Sequence, residues 1–223
     1  MIRLGGLTPL TTIDFPGRLA AVLYLQGCPW RCSYCHNPAL LPASGGGHLD
    51  WSAALAFLQR RRGLLDGVVL SGGEPTAQAN LAAAVERLKA LGFHIGLHTG
   101  GMYPARLRQV LPQLDWVGLD IKAPWAGYDA VTGRRGSGRA VEASLQCVLD
   151  SGVAYECRTT WSAGLFPVED LYALGEHLAA RGVTHWALQQ RRLKGEAWTP
   201  PLQAQVDLAR LGVGFEVFTV RAT

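Results

Sequence analysis

The chain contains no run of about 18 apolar residues, the length a helix needs to cross a bilayer. Its first residues, Met1 to Gly6, hold no apolar core of signal-peptide length. No internal repeat and no low-complexity linker divides it. Charged residues are sparse, 17% against 48% hydrophobic, over 223 positions. That balance suits a normal buried core and argues against disorder. The formal net charge of +4 is mildly basic and falls short of a nucleic-acid signature. The Arg60-Arg61-Arg62 run fits the basic last turn of a helix better than a nucleic-acid patch. The expectation is one cytoplasmic domain with neither nucleic acid nor membrane as partner.

Five cysteines in a reducing compartment do not form a disulfide framework. Three of them, Cys28, Cys32 and Cys35, crowd into eight positions, while Cys147 and Cys157 stand apart. The isolated pair reads as structural: Cys147 falls in a helical pattern and Cys157 in a strand pattern.

Short apolar runs alternate with segments of helical period. The runs at 20–25, 67–70, 94–98, 116–121, 154–160 and 185–189 are nearly continuous in Val, Leu, Ile and aromatics, as strands covered on both faces should be. Amphipathic stretches at 51–62, 80–91, 105–111, 139–150 and 168–181 separate them, 199–211 follows the last, and 215–220 offers an edge strand. Asp50 is placed to cap the first helix, and Gly63, Gly92, Gly152 and Gly182 to end helices. Successive β-α units predict an α/β fold with a parallel sheet, either open or closed into a barrel. In both arrangements functional groups gather at the carboxyl ends of strands. The cysteine loop follows the first run, Gly72-Gly73-Glu74 the second, and Thr99 the third, while Asp120 and Lys122 end the fourth.

The loop reads Gly27-Cys28-Pro29-Trp30-Arg31-Cys32-Ser33-Tyr34-Cys35-His36-Asn37, a C-x3-C-x2-C spacing. Closely spaced thiolates can share one iron–sulfur cubane, and three of them leave one iron open to a substrate atom. Two other readings compete. Zinc could take the three cysteines and His36, although His36 adjoins Cys35 and would have to fold back onto the same metal. Cys32-Ser33-Tyr34-Cys35-His36 also matches the attachment motif of c-type haem, which would leave Cys28 unexplained. Leu70-Ser71-Gly72-Gly73-Glu74-Pro75-Thr76 tips the balance. Its glycines let backbone approach a ligand, and Glu74 with strand-end carbonyls suits a cationic amino group.

Together these segments resemble the radical S-adenosylmethionine superfamily. The resemblance rests on Cys28, Cys32, Cys35, Tyr34 before the last cysteine, and Gly72-Gly73-Glu74. Asp14-Phe15-Pro16-Gly17-Arg18, Tyr34-Cys35-His36-Asn37 and Asp120-Ile121-Lys122 are similar to the activating enzymes of glycyl-radical enzymes. The opening from Gly5 to Asp14, Tyr128-Asp129-Ala130-Val131-Thr132-Gly133 and Arg158-Thr159-Thr160 look most like activators of anaerobic ribonucleoside-triphosphate reductase.

The resemblance implies a single-domain α/β fold, a partial (β/α)6 barrel, with residues 1–18 as an N-terminal extension, 19–190 as barrel core and 191–223 as a C-terminal helix and edge strand. It implies one [4Fe-4S] cluster on Cys28, Cys32 and Cys35, and S-adenosylmethionine as second cofactor. Tyr34 and His36 would lie along the adenosine, and Gly72, Gly73 and Glu74 at the methionine amino group. Thr99, Asp120, Lys122, Arg158 and Gln189 complete the implied cofactor site, with Asp120 and Lys122 at the ribose and carboxylate end. The activity implied is oxidoreductive: cleavage of S-adenosylmethionine by one electron and removal of an α-hydrogen from a glycine of a partner enzyme. Implied partners are the anaerobic ribonucleoside-triphosphate reductase and a low-potential electron donor such as flavodoxin or ferredoxin. Alternatives are an activator of pyruvate formate-lyase type and a small-molecule radical enzyme such as a deazapurine synthase. One departure is clear. Where pyruvate formate-lyase activators carry Asp-Thr-Asn-Gly, this chain reads His98-Thr99-Gly100-Gly101, so a monovalent-cation site there is in doubt. Arg191, Arg192 and Lys194 are candidates for steering an acidic partner.

Overall fold

A computed structural model describes residues 2–44, 49–191 and 200–221. Eight strands form one sheet in chain order: β1 (Leu4–Thr11), β2 (Ala20–Leu25), β3 (Gly67–Gly72), β4 (His94–Thr99), β5 (Trp116–Asp120), β6 (Tyr155–Trp161), β7 (His185–Gln190) and β8 (Val217–Arg221). β1 runs antiparallel to β2, and every later neighbour pair is parallel. The helices α1 (Trp51–Gln59), α2 (Leu81–Ala90), α3 (Pro104–Val110), α4 (Tyr128–Thr132), α5 (Ser137–Ser151), α6 (Val168–Ala180) and α7 (Leu208–Leu211) fill the connections. This is a parallel α/β partial barrel whose edges are β1 and β8.

Strand parity sorts the interior. On β2, Ala21, Leu23 and Leu25 belong to the large core between sheet and helices. Ala20 and Val22 face the other way and join Val69, Trp116 and Phe15 in a small inner cluster. Phe15 comes from the β1–β2 connection and is 2% exposed. Its ring takes the space left by two glycines: a Cβ on Gly67 would stand 2.9 Å from it, and one on Gly96 3.3 Å. Trp116 closes the other side with ring centroids 6.1 Å apart. The motif 14–18 thus plugs the barrel floor from below. His98 fixes its entry, donating from Nε2 to the Asp14 carbonyl at 2.8 Å.

Two departures from the sequence reading have physical causes. The segment before residue 18 forms a full strand, β1, although Gly5, Gly6 and Pro9 weaken its pattern; an edge strand tolerates all three. The helix expected over 199–211 is, within the described residues, only a 3-10 turn at Leu202–Ala204 and the short α7. Pro200 and Pro201 explain the interruption, because each lacks an N–H and disfavours helical geometry in the residue before it. The other helices lie within a few residues of their expected spans, and the Asp50 carboxylate caps α1 by accepting from Ser52 N.

Truncating the plug should be expensive. Phe15→Ala is expected to destabilise the fold by about 3–5 kcal/mol in urea titrations. Ile13→Ala, at a position 83% exposed two residues earlier, should stay within about 0.5 kcal/mol of the parent. Equal losses in both would place Phe15 outside the core.

Candidate functional site

The cysteine loop has no regular secondary structure, so its backbone groups must find partners elsewhere. Gly27 N donates to Leu40 O at 2.8 Å and Cys28 N to Leu41 O at 3.0 Å. On the other side Arg31 N donates to Thr132 O at 2.8 Å and Ser33 N to Val131 O at 3.1 Å. The end of α4 therefore braces the middle cysteine from both flanks. Buried Gln26 donates to Ala39 O and Pro42 O, securing the returning chain. The Arg31 guanidinium donates to the carbonyls of Cys28 and Trp30, at 2.7 and 2.9 Å. Trp30 is 3% exposed and meets Tyr128 edge-on.

Cys28, Cys32 and Cys35 are unpaired, partly exposed, and line one cavity of about 370 Å3 at the carboxyl ends of the strands. Burial pushes the Cys28 thiol up to about 12 and raises that of Cys32 as well. Metal binding must therefore release protons from this loop. Among the described residues no three His, Cys, Asp or Glu side chains gather closely enough to hold a single metal ion. A cubane offers three iron corners in place of one point, so its thiolates stand further apart than those round one ion. A donor set of three soft sulfurs facing one cavity fits such a cluster. Cys147 and Cys157 are buried elsewhere, Cys147 against the Arg108 guanidinium.

Gly72 and Gly73 sit against the cysteine loop. A Cβ on Gly72, where φ is +113°, would stand 2.4 Å from Leu25 N, and one on Gly73 2.4 Å from Gly27 O. Gly73 N and Glu74 N donate to Leu25 O and Gly27 O. The glycines thus let β3 approach the loop, a packing reason for them beside any ligand. Glu74 is 1% exposed, and donors surround its carboxylate. Oε1 accepts from Thr76 N, the Thr76 hydroxyl and the Thr99 hydroxyl, and Oε2 from Gly100 N at 2.9 Å. Burial raises its pKa, and these hydrogen bonds oppose the rise. Glu74 thereby staples the end of β3 to the end of β4.

Asp120 ends β5 between two cations. Its Oδ2 lies 3.0 Å from Lys122 Nζ, and its Oδ1 lies 2.8 Å from an Arg158 guanidinium nitrogen. Burial alone would raise the Asp120 pKa, but the two cations hold it well below the usual carboxylate range. Burial opposes the Lys122 charge too, yet Asp120 holds that pKa well above the ordinary lysine value. Tyr128 hydroxyl accepts from Lys122 N and donates to Asp120 O, fixing the chain between these charges. Lys122 Nζ lies 5.6 Å from the Tyr34 ring centroid, and burial pushes the Tyr34 phenol up to about 12. Tyr34 and His36 meet edge-on at 6.4 Å.

All thirteen residues singled out in the sequence, from Cys28 to Gln189, lie together: Tyr34, His36, Gly72, Gly73, Glu74, Thr99, Asp120, Lys122, Arg158 and Gln189 line the same cavity as the three thiols. Asp14, Tyr24, Ser71, His98, Met102 and Thr160 line it as well. Inward parity could have found several of these, since Tyr24, Ser71, His98 and Thr160 continue the series that face the barrel axis. Arg191 follows β7, its N donating to Trp161 O, while Arg192 and Lys194 lie outside the described residues. No described helix is long and apolar enough to cross a membrane.

His98 gives this cavity a pH signature. Burial, with the nearby Arg158 charge, lowers its pKa from 6.5 to about 3, so the ring is neutral. The unfolded chain takes up this proton near 6.5 and the folded chain only near 3. The stabilisation is thus complete above the higher value and is lost as pH falls toward the lower one. Between about pH 7 and pH 5 this single group should remove about 1–2 kcal/mol. Denaturant titrations of parent and His98→Gln at both pH values test it: the difference should shrink at pH 5. A difference independent of pH would mean that His98 takes up its proton inside the fold as readily as in the unfolded chain.

Comparison with known proteins places this geometry. Residues 22–170 match the family model described as the radical SAM superfamily. A candidate glycyl-radical enzyme activating enzyme of Methanocaldococcus jannaschii is 27% identical over 93% of this chain and 89% of its own length. The pyruvate formate-lyase-activating enzyme of Clostridium pasteurianum is 33% identical over 69% of this chain and 66% of its own. Among solved structures, SuiB of Streptococcus suis bound to S-adenosylmethionine shares the fold with a TM-score of 0.63 at 11% identity, covering 89% of this chain and 48% of that one. Three thiols on the loop after β2, at the mouth of a parallel partial barrel, are thus explained by descent: the chain belongs to the radical SAM superfamily, whose members use a [4Fe-4S] cluster and S-adenosylmethionine.

Proposed function

We propose that the chain is a glycyl-radical enzyme activating enzyme and that its target is the anaerobic ribonucleoside-triphosphate reductase. The observation that carries the reading is the convergence of Cys28, Cys32 and Cys35 with the Asp120–Lys122–Arg158 charges in one cavity at the strand ends. The activating enzymes of M. jannaschii and C. pasteurianum support the activase class. The Gly5–Arg18 segment, and His98 in place of aspartate, favour the reductase over pyruvate formate-lyase as target.

Cys28, Cys32 and Cys35 hold the cluster. When bound, cluster and S-adenosylmethionine together supply one-electron cleavage of a sulfonium–carbon bond and a hydrogen-abstracting carbon radical. The protein's part is to bind, orient and keep water out. Asp120 borders the ribose, and Lys122 and Arg158, whose two charges exceed that of the single Asp120 carboxylate, offer a net positive charge to the carboxylate of the methionine moiety. Tyr34 and His36 border the adenosine, and Gly72, Gly73 and Gln189 frame the remaining walls. Glu74 and Thr99 act mainly by holding β3 and β4 in register with the cysteine loop. A flavodoxin or ferredoxin supplies the electron, and the enzyme works in the cytoplasm.

Anaerobically reconstituted protein should carry about four irons and four sulfides. Alanine at Cys28, Cys32 or Cys35 should abolish this, and alanine at Cys147 should not. Asp120→Ala and Lys122→Ala should retain the iron while weakening S-adenosylmethionine binding by about 5- to 150-fold, the worth of roughly 1–3 kcal/mol per lost charged contact. Normal binding by both variants would displace the cofactor from this cavity. The target is tested by mixing reduced protein and S-adenosylmethionine with reductase or lyase from the same organism. A glycyl-radical doublet in electron paramagnetic resonance should appear with the reductase, and a strong doublet in the lyase alone would reverse the assignment.

A further inference from the structure

The cysteine loop carries an unusual charge pattern. From Phe15 to Leu49 the sequence has no acidic residue, while Arg18 and Arg31 lie within that stretch. The structure sets this loop against the turn that follows α4. Arg31 N donates to Thr132 O, and a Cβ on Gly133 would lie 3.3 Å from Arg31 Cβ. Gly133 is followed by Arg134 and Arg135, and Arg139 lies in the first turn of α5. Arg31, Arg134, Arg135 and Arg139 are all exposed.

Two carboxylates, Asp129 and Glu142, border the same hollow as Arg135 and Arg139. Among the described residues, no ion pair includes Arg134, Arg135 or Arg139. Both carboxylates already have other partners, so the face keeps a net positive charge. Asp129 accepts from Gly136 N and Ser137 N, and Glu142 pairs with Arg181. None of the four arginines lines the cavity that the three cysteine thiols line. The basic face therefore adjoins the cysteine loop at Arg31, next to Cys32, outside the lining of that cavity.

We infer that this arginine face is the docking surface for an acidic one-electron carrier protein. The inference rests on the activase reading above, because it concerns how that site is reduced. Each cleavage consumes one electron: the sulfonium gains it and leaves as the neutral sulfur of methionine, and the carrier departs one electron more oxidised. That electron must arrive from outside, over the shortest path to the cysteines that does not block the cavity. The exposed face at Arg31 adjoins Cys32 in the chain and stands outside the cavity lining. Target enzyme and carrier need different faces, since the target's glycine must reach the cavity itself. Unpaired exposed arginines steer an acidic partner by accelerating encounter, an effect that salt screens.

The test compares two reductants on the reconstituted enzyme, using a strongly acidic flavodoxin and dithionite. Arg134→Glu combined with Arg135→Glu should lower flavodoxin-driven 5′-deoxyadenosine formation about tenfold at low salt and flatten its dependence on ionic strength. Dithionite-driven formation should be unchanged. Direct titration with oxidised flavodoxin should show the same weakening. Arg60→Glu combined with Arg61→Glu, an equal charge change on another face, should leave all three measurements near the parent values. The inference is overturned if both double variants lose flavodoxin-driven activity equally, or if the Arg134/Arg135 variant keeps it. It is also overturned if that variant loses the glycyl-radical doublet with dithionite as reductant, which would make the face a target site. Failure of the parent to form 5′-deoxyadenosine with dithionite would instead sink the activase reading, while the titration would still judge the docking surface.

Discussion

An irregular loop that must present three thiols to one cavity has to satisfy its own backbone without hiding the sulfurs, and the rest of the site is organised around that demand. The loop after β2 gains partners on one side from the returning chain at Leu40 and Leu41, and on the other from Val131 and Thr132. Because α4 supplies those last two carbonyls, its short helix acts as a brace as much as a connection. Gly72 and Gly73 allow β3 to close on the loop, and Glu74 passes the restraint on to Thr99 and Gly100. Three consecutive strand ends are thus tied, β2 to β3 through the backbone of Gly73 and Glu74 and β3 to β4 through the buried Glu74 carboxylate. Preorganisation of this kind matters for binding, since ordering a flexible loop at the moment of binding would cost affinity.

The interior divides by polarity along the barrel axis. Phe15, Val22, Val69 and Trp116 make an apolar floor. Above it, His98 and Arg158 lean on Trp116, at 5.4 Å between rings and 6.0 Å from guanidinium to ring. Higher still, Asp120, Lys122 and Tyr34 share the mouth with the thiols. A half-buried carboxylate flanked by two cations would be costly if either cation were removed, because the remaining charges would stay partly desolvated. The charged layer is thus a set that depends on all its members, and the floor beneath shields it from water on one side.

Much of this was legible in the sequence, and the remainder has recognisable reasons for escaping it. Nearly continuous apolar runs located β2 to β7 closely because each strand is covered on both faces, where hydrophobic continuity is strongest. The C-x3-C-x2-C loop and the residues at strand ends converged because a parallel fold brings all carboxyl ends to one side. β1 escaped because its glycines and proline mimic a loop, and only pairing with β2 makes it a strand. The role of Phe15 was invisible because the space it fills is defined by absent side chains at Gly67 and Gly96, far away in sequence. The pairing of Arg158 with Asp120 required the β5–β6 register, which places the two opposite each other. Composition alone could not have supplied that register.

Cavity size bears on which targets suit the proposed chemistry. About 370 Å3 is near the lower end of ordinary small-molecule sites, and here the same space borders the three cysteines. In the proposed reaction a cluster, S-adenosylmethionine and the target group would share this cavity and its mouth. Glycine makes the least demand, because its reacting carbon carries no side chain and its backbone adopts conformations closed to other residues. The sheet is open between β1 and β8, so a main-chain loop can approach from the side without threading a closed ring. Tight space at the reacting centre, with recognition spread over the surface, is the arrangement that suits a protein substrate offering one bare carbon.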